Sequence, residues 1–155
     1  MRQARLAVLI DGENISGNVA DPLFVKIAEH GVAKLRRIYG DFSNPCLKTW
    51  MAPIARHGVV AQQVFKNGKN ATDITMIMDA TEILLGERFD GFCIVSSDAD
   101  FTRLAERIRE RGLEVFGFGN ANASPAFRKS CTNFYCTDDL KKSQKPAKHS
   151  SPQRA

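Results

Sequence analysis

The sequence predicts an α/β fold with a mostly parallel sheet and helices on both of its faces. Three observations predict it. RLAVLI, FCIVS and LEVFGFG are nearly unbroken apolar runs, as strands covered on both sides require. They alternate with stretches of helical period, as repeated strand–helix–strand units do. Acidic residues follow two of these runs directly, in LIDGEN and SSDADF, and loops at the carboxyl ends of parallel strands form the ligand crevice of such sheets.

Each element has its own signal. RLAVLI (5–10) is the first strand. Asp21-Pro22 opens a helix that FVKIAEHGVAKLRR continues, with Phe24, Ile27, Ala28 and Leu35 apolar and Gly31 weakening the middle. RIYGDF (37–42) is a short second strand, and Pro53 confines or kinks a helix over KTWMAPIARHG (48–58). VVAQQVF (59–65) is the third strand, with Phe65 as strand core. After NGKNAT, the segment DITMIMDATEILLG (73–86) is the clearest helix, with Ile74, Ile77 and Met78 marking its buried side and Gly86 stopping it. FCIVS (92–96) is the fourth strand, DFTRLAERIRERG (100–112) a helix ended by Gly112, and LEVFGFG (113–119) the fifth strand. A short helix over SPAFRKS and a last edge strand at NFYC complete a body spanning residues 1–136. The tail, 137–155, has no apolar period and is expected to be disordered and basic.

Composition bounds the class. The 155 residues suit one domain, and 43% hydrophobic with 25% charged is ordinary for a soluble globular protein. No apolar stretch approaches membrane-spanning length, and MRQARLAVLIDGEN turns acidic too soon for an export signal, so a cytoplasmic protein without membrane partners is expected. Cys46, Cys93, Cys131 and Cys136 form no C-x-x-C pair and the three histidines are scattered, which disfavours zinc and suits a reducing compartment. Net charge is +5, but the tail carries five Lys or Arg against Asp138 and Asp139. The other 136 residues hold seventeen basic and fifteen acidic residues, so any basic surface on the body comes from arrangement, not excess.

Asp11 ends the first strand, with Gly12 allowing a sharp turn and Glu13 and Asn14 following. Asp98 and Asp100 follow the fourth strand. If these strands are neighbours where strand order reverses, Asp11 and Asp98 face each other. Asp73 opens the central helix, where first-turn acids are favoured in any case; six residues on, Asp79 is about 120° round the helix and either exposed or a second-layer partner. Clustered carboxylates repel unless a cation neutralises them, and hard cations such as Mg2+ and Mn2+ prefer such oxygens. The expected ligands are Asp11, Asp73, Asp98 and Asp100. No cysteine or histidine accompanies them, which favours metal-activated water as nucleophile, while an aspartate nucleophile stays open. Asn14 suits positioning of water or substrate. Ser96 and Ser97 can donate to a carboxylate or phosphate; Ser97 can equally cap the next helix, and Asp98 can itself be the cap.

A nucleic-acid substrate would need cations nearby. Lys66 and Lys69 precede Asp73, Arg128 and Lys129 can rim the same mouth, and Arg103, Arg107 and Arg111 recur every four residues, with Glu106 and Glu110 beside them. Arg36 and Arg37 sit at the wrong end of their strand. Trp50 can stack on a base or serve the core. Neither a dinucleotide fingerprint nor a P-loop is present.

Together VLIDGENI, TDITMIMDA and CIVSSDADFTRLAERIRERGLEVFGFG resemble the NYN domain, specifically the LabA-like branch of the PIN-like nucleases, over about residues 5–136. The resemblance implies a PIN-like three-layer α/β/α sandwich and Mg2+- or Mn2+-dependent hydrolysis of RNA, leaving a 5′-phosphate and a 3′-hydroxyl. It matches Asp11 and Asn14 to the first-strand acid and loop asparagine, Asp73 and Asp79 to the central-helix acids, and Asp98 and Asp100 to the acidic D-x-D-F pair. None of the family's acids is missing. Two alternatives share the layout: a non-catalytic RNA-binding or regulatory module, and a haloacid-type phosphatase, which wants an aspartate where Glu13 stands. A homodimer is allowed but demanded by no sequence feature.

Overall fold

The computed structural model describes residues 2–65 and 70–142. Six strands form one parallel sheet: β1 (Arg5–Asp11), β2 (Val32–Gly40), β3 (Val60–Gln63), β4 (Gly91–Val95), β5 (Glu114–Gly119) and β6 (Asn133–Cys136), in the order β3-β2-β1-β4-β5-β6. The helices are α1 (Ala20–Ala28), α2 (Met51–His57), α3 (Ala71–Leu85), α4 (Thr102–Glu110) and α5 (Pro125–Ser130). The chain winds outward from β1 in both directions, so order reverses between β1 and β4, the place where such sheets open a crevice.

Strand alternation sorts the core into two layers. Leu6, Val8 and Ile10 of β1 pack on one face with Leu23 and Ile27 of α1, and with Trp50 and Cys93. Ala7 and Leu9 pack on the other with Met76, Ala80 and Leu84 of α3 and Leu104 and Ile108 of α4. The result is a three-layer α/β/α sandwich consistent with a PIN-like fold. By the same alternation Asp11 falls on the α3–α4 side. Its carboxylate therefore enters the layer of α3, which carries Asp73 in its first turn, and of α4, which begins just after Asp100.

Several elements differ from expectation. The first helix stops at Ala28, and VAKLRR is strand instead of helix. The cause is Gly31: a Cβ there would lie 2.4 Å from the Ala4 carbonyl oxygen, so only glycine allows the approach that lets Val32 N–H donate to Ala4 and start β2. Gly12 does not adopt a left-handed turn; it is small because a Cβ would press on Leu47 and Ile38. Phe65, expected in the core, is 77% exposed, whereas Trp50 is fully buried with its indole N–H donating to Ile15 O (2.6 Å), a core role and not a stacking platform. The folded body also passes the boundary expected at 136: residues 137–142 are helical and Leu140 is buried against the α1 layer. One apolar residue among charges gives no periodic signal, yet it covers the sheet.

Candidate functional site

Asp11, at the end of β1, is fully buried. Asn14 Nδ2 (2.7 Å) and Ser96 Oγ (3.0 Å) both donate to its Oδ2. The pairing Ile10–Val95 sets β4 beside β1, which brings Ser96 within reach. The expected adjacency of strands one and four is therefore present, and Ser96 is the direct partner of Asp11. Asp11 Oδ1 is buried and accepts no hydrogen bond from any described residue. Burial raises the Asp11 pKa, and the bonds from Asn14 and Ser96 oppose that rise.

After β4 the chain turns into a short 3-10 segment, Ala99–Phe101, capped by Asp98, whose carboxylate accepts from Asp100 N–H (2.9 Å) while Asp98 N–H donates to Ser96 Oγ (3.2 Å). Phe101 is buried in the α3–α4 layer and anchors this turn. Asp98 thus caps this turn and also belongs to the acidic cluster. Ser97 instead accepts from Asn120 N–H (2.9 Å), fastening the loop after β5.

Asp73 lies in the first turn of α3 and is 5% exposed. One carboxylate oxygen from each of Asp73, Asp98 and Asp100 lies within 4.8 Å of the others. Burial, hydrogen bonding to Asp98 and the charges of Asp98 and Asp11 push Asp73 up to about 8. Among the described residues none of these four acids has an ion-paired Lys or Arg. The donor set is all carboxylate oxygen; Asp11, expected as a fourth ligand, is not in this group of three, though its charge acts on Asp73 and its own Oδ1 is buried. The set fits a hard divalent cation.

Asp79 is not brought to this cluster. It accepts from Tyr39 Oη (2.7 Å) and Arg37 (3.1 Å), pinning α3 to β2. Tyr39 also pairs in register with Asp11, so this latch sets the distance between α3 and the end of β1. The buried side of α3 is Thr72, Asp73, Met76, Ala80 and Leu84, while Ile74 and Met78 point to solvent, the reverse of the expected face for those two. Glu13 had no expected role beyond its place in LIDGEN. It accepts from Asp41 N–H (3.0 Å) and Thr72 Oγ1 (3.1 Å), bridging the loops after β1 and β2 to the residue before Asp73.

The cations are mixed. Lys66 and Lys69 lie outside the described residues. Arg128 donates to the Ala123 and Ala121 carbonyls and stacks on Phe134, bracing the loop before α5, while Lys129 is exposed. Arg103 is exposed on the first turn of α4.

A parallel sheet with carboxylates from three separate stretches at its switch point is a PIN-like fold with a candidate metal centre. Residues 5–138 match the NYN domain, and the chain belongs to that family. It is 28% identical over 134 residues to MJ0482, an uncharacterised protein of Methanocaldococcus jannaschii; the match covers 83% of this chain and 52% of MJ0482, so the chain spans about half the length of that relative. The crystal structure of VPA0982, a protein of unknown function from Vibrio parahaemolyticus, superposes with a TM-score of 0.72 at 22% identity, covering 90% of this chain and 96% of that one, a likeness of fold. No helix among the described residues is long and apolar enough to cross a membrane.

Proposed function

We propose that this chain is a cytoplasmic ribonuclease, dependent on Mg2+ or Mn2+, that hydrolyses RNA phosphodiester bonds with water as nucleophile. The observation that carries it is the convergence of Asp73, Asp98 and Asp100, with the Asp11 charge acting on Asp73, and with no cationic partner for these acids among the described residues. Asp73, Asp98 and Asp100 would hold the metal, with Asp11 as the fourth carboxylate. Bound there, a divalent ion supplies Lewis-acid stabilisation of the scissile phosphate and a lowered pKa for water. Asn14 and Ser96 occupy one oxygen of Asp11 and so fix its rotamer with the other oxygen uncommitted. Asn14 is itself exposed at the mouth and can orient water or substrate. The bond broken is the one between phosphorus and the 3′ oxygen, leaving a 5′-phosphate and a 3′-hydroxyl. Arg103 and Lys129 are the exposed cations for substrate phosphates, Arg128 shapes the loop beside them, and Lys66 and Lys69 precede α3 in sequence.

A phosphatase of the haloacid type is poorly supported. It needs an available acid two residues after Asp11, and Glu13 is committed to Asp41 N–H and Thr72. The test is cleavage of varied single-stranded and structured RNAs by the purified, folded protein with Mn2+. Asp98→Asn is expected to lower the rate by about 10²–10³-fold or more with the thermal transition retained. Absence of cleavage by the wild type on every RNA would point to the binding-module alternative; unchanged rates in Asp98→Asn would mean the acids are misassigned.

A further inference from the structure

Helices α3 and α4 both begin at the acids and run side by side away from them on one face of the sheet. A groove of about 460 Å3 lies between them. Its α3 wall is formed by Ile77, Leu84 and Leu85 together with Thr81, whose hydroxyl donates to the Ile77 carbonyl; its α4 wall carries Arg103, Arg107 and Arg111. Leu85 is 61% exposed, and Ile74, about three turns nearer the acids on the same stripe, is 54% exposed. A long apolar edge left open to water beside three guanidiniums is costly for a surface with no ligand.

The three arginines are spaced one helical turn apart, which places them about 6 Å from one another along the axis. That matches the spacing of successive phosphates on an extended single strand. Arg103 pairs only with Glu106, an exposed contact of small worth, and Arg107 and Arg111 make no ion pair among the described residues. Arg109 on the same helix shows the contrast: it is off the stripe and donates to the Ser130 carbonyl. A duplex cannot enter a groove between two helices packed on one sheet, whereas a single strand can, with its bases against the apolar wall and its backbone on the cations.

We propose that this groove is the track along which a single RNA strand reaches the acids, with Arg103, Arg107 and Arg111 taking successive phosphates and Ile77 and Leu85 the base faces. The substrate is then single-stranded and occupies about three phosphates on this side of the scissile bond. Thr81, the polar side chain of that wall, spends its hydroxyl proton on the Ile77 carbonyl, so the wall offers the bases no donor and reads them with little regard to sequence. Glu110 also lines the groove and opposes the phosphates there. The inference rests on the nuclease reading for the identity of the polymer.

The test measures binding of a labelled oligouridylate to the full chain carrying Asp98→Asn, in Mg2+, so that turnover does not intervene. Adding Arg107→Ala with Arg111→Ala is expected to weaken binding about tenfold or more and to reduce the slope of log affinity against log salt by about 1.4, some 0.7 for each lost phosphate contact. The corresponding double lysine variant restores most of the affinity, which excludes a folding defect, and Glu110→Lys tightens binding. In the active protein the double alanine variant loses the preference for a long strand over a dinucleotide. Equal affinity and slope in wild type and double variant overturn the proposal, as does an unchanged affinity in Glu110→Lys. So does a polyglutamate peptide that binds through these arginines while RNA binding ignores them, which would make the groove a protein interface. Cleavage with an unaltered long-strand preference sinks the groove and spares the nuclease; the expected binding losses with no cleavage under any divalent metal do the opposite.

Discussion

Asp73 and Asp79 stand six residues apart on α3, and the protein treats them in opposite ways. Asp79 has a phenol and a guanidinium on its carboxylate, at 2.7 and 3.1 Å. Asp73 faces only other acids, and burial together with their charges pushes its pKa up to about 8. A helix that wanted only stability would have paired both or removed the unpaired one. The compensated acid holds the helix in place, and the uncompensated one is the acid with work still to do. Strain of this kind, kept at one position and relieved six residues away, marks a ligand site more sharply than carboxylate count alone.

The largest effect that could break this contrast comes from Asp73→Asn. It keeps the side-chain shape and removes the charge. RNA cleavage is expected to fall by about 10²–10³-fold or more, while the metal-free protein becomes more stable at neutral pH because folding no longer has to protonate a buried carboxyl that is ionised in the unfolded chain. A calorimetric scan of metal-free wild type and variant checks the second half. A lower transition temperature for the variant would mean that Asp73 is a structural acid after all.

Asp79→Ala should do the reverse. It leaves the Tyr39 hydroxyl and Arg37 without their acceptor against β2, at a cost of about 2 kcal/mol and several degrees in thermal transition. Cleavage at a temperature where the variant stays folded should fall far less than in Asp73→Asn, and stabilisation by Mn2+ should persist. Loss of the metal-dependent shift in Asp79→Ala, measured by thermal denaturation with and without Mn2+, would move Asp79 into the centre itself.

How far this arrangement was legible in the sequence follows from the same contrast. Asp11 and Asp98 were readable because each interrupts an unbroken apolar run, and such interruptions at the ends of buried strands have few structural uses. Asp100 and Asn14 came with them by proximity. The orientation of α3 was not readable: apolar period placed Ile74 and Met78 inward, but the helix turns Thr72 and Asp73 in and leaves Met78 67% exposed. Periodicity assumes that burial follows hydrophobicity, and a site that buries a carboxylate inverts the rule locally. The start of β2 failed for another reason. Lys34, Arg36 and Arg37 give VAKLRR a helical look, and only the Ala4–Gly31 approach, a contact between distant residues, makes it a strand. Glu13 and the Asp79 latch were invisible because their partners, Thr72 and Tyr39, lie far along the chain.

The smallest expected effect is a slope in stability with pH, and its sign follows from the uncompensated acid. Asp73 has a folded pKa raised from 3.8 to about 8, so the folded protein binds more protons than the unfolded chain between those values. That contribution to stability is present at acidic pH and is lost as pH rises through about 8. Asp11 acts in the same direction. Asp90 runs the other way: the Arg5 backbone N–H and the Arg2 guanidinium hold it down to about 2, so its contribution is lost only in strong acid. The metal-free protein should therefore lose stability as pH climbs from mildly acidic to mildly alkaline, and Asp73→Asn should flatten that decline. With Mn2+ present the decline should shrink or reverse, because a cation that binds the ionised acids competes with protons for the same oxygens. Thermal transitions across pH, with chelator and with Mn2+, read all three outcomes. A metal-free protein that becomes steadily more stable toward alkaline pH would mean that the acids at the switch point are already compensated, and the distinction between Asp73 and Asp79 would disappear.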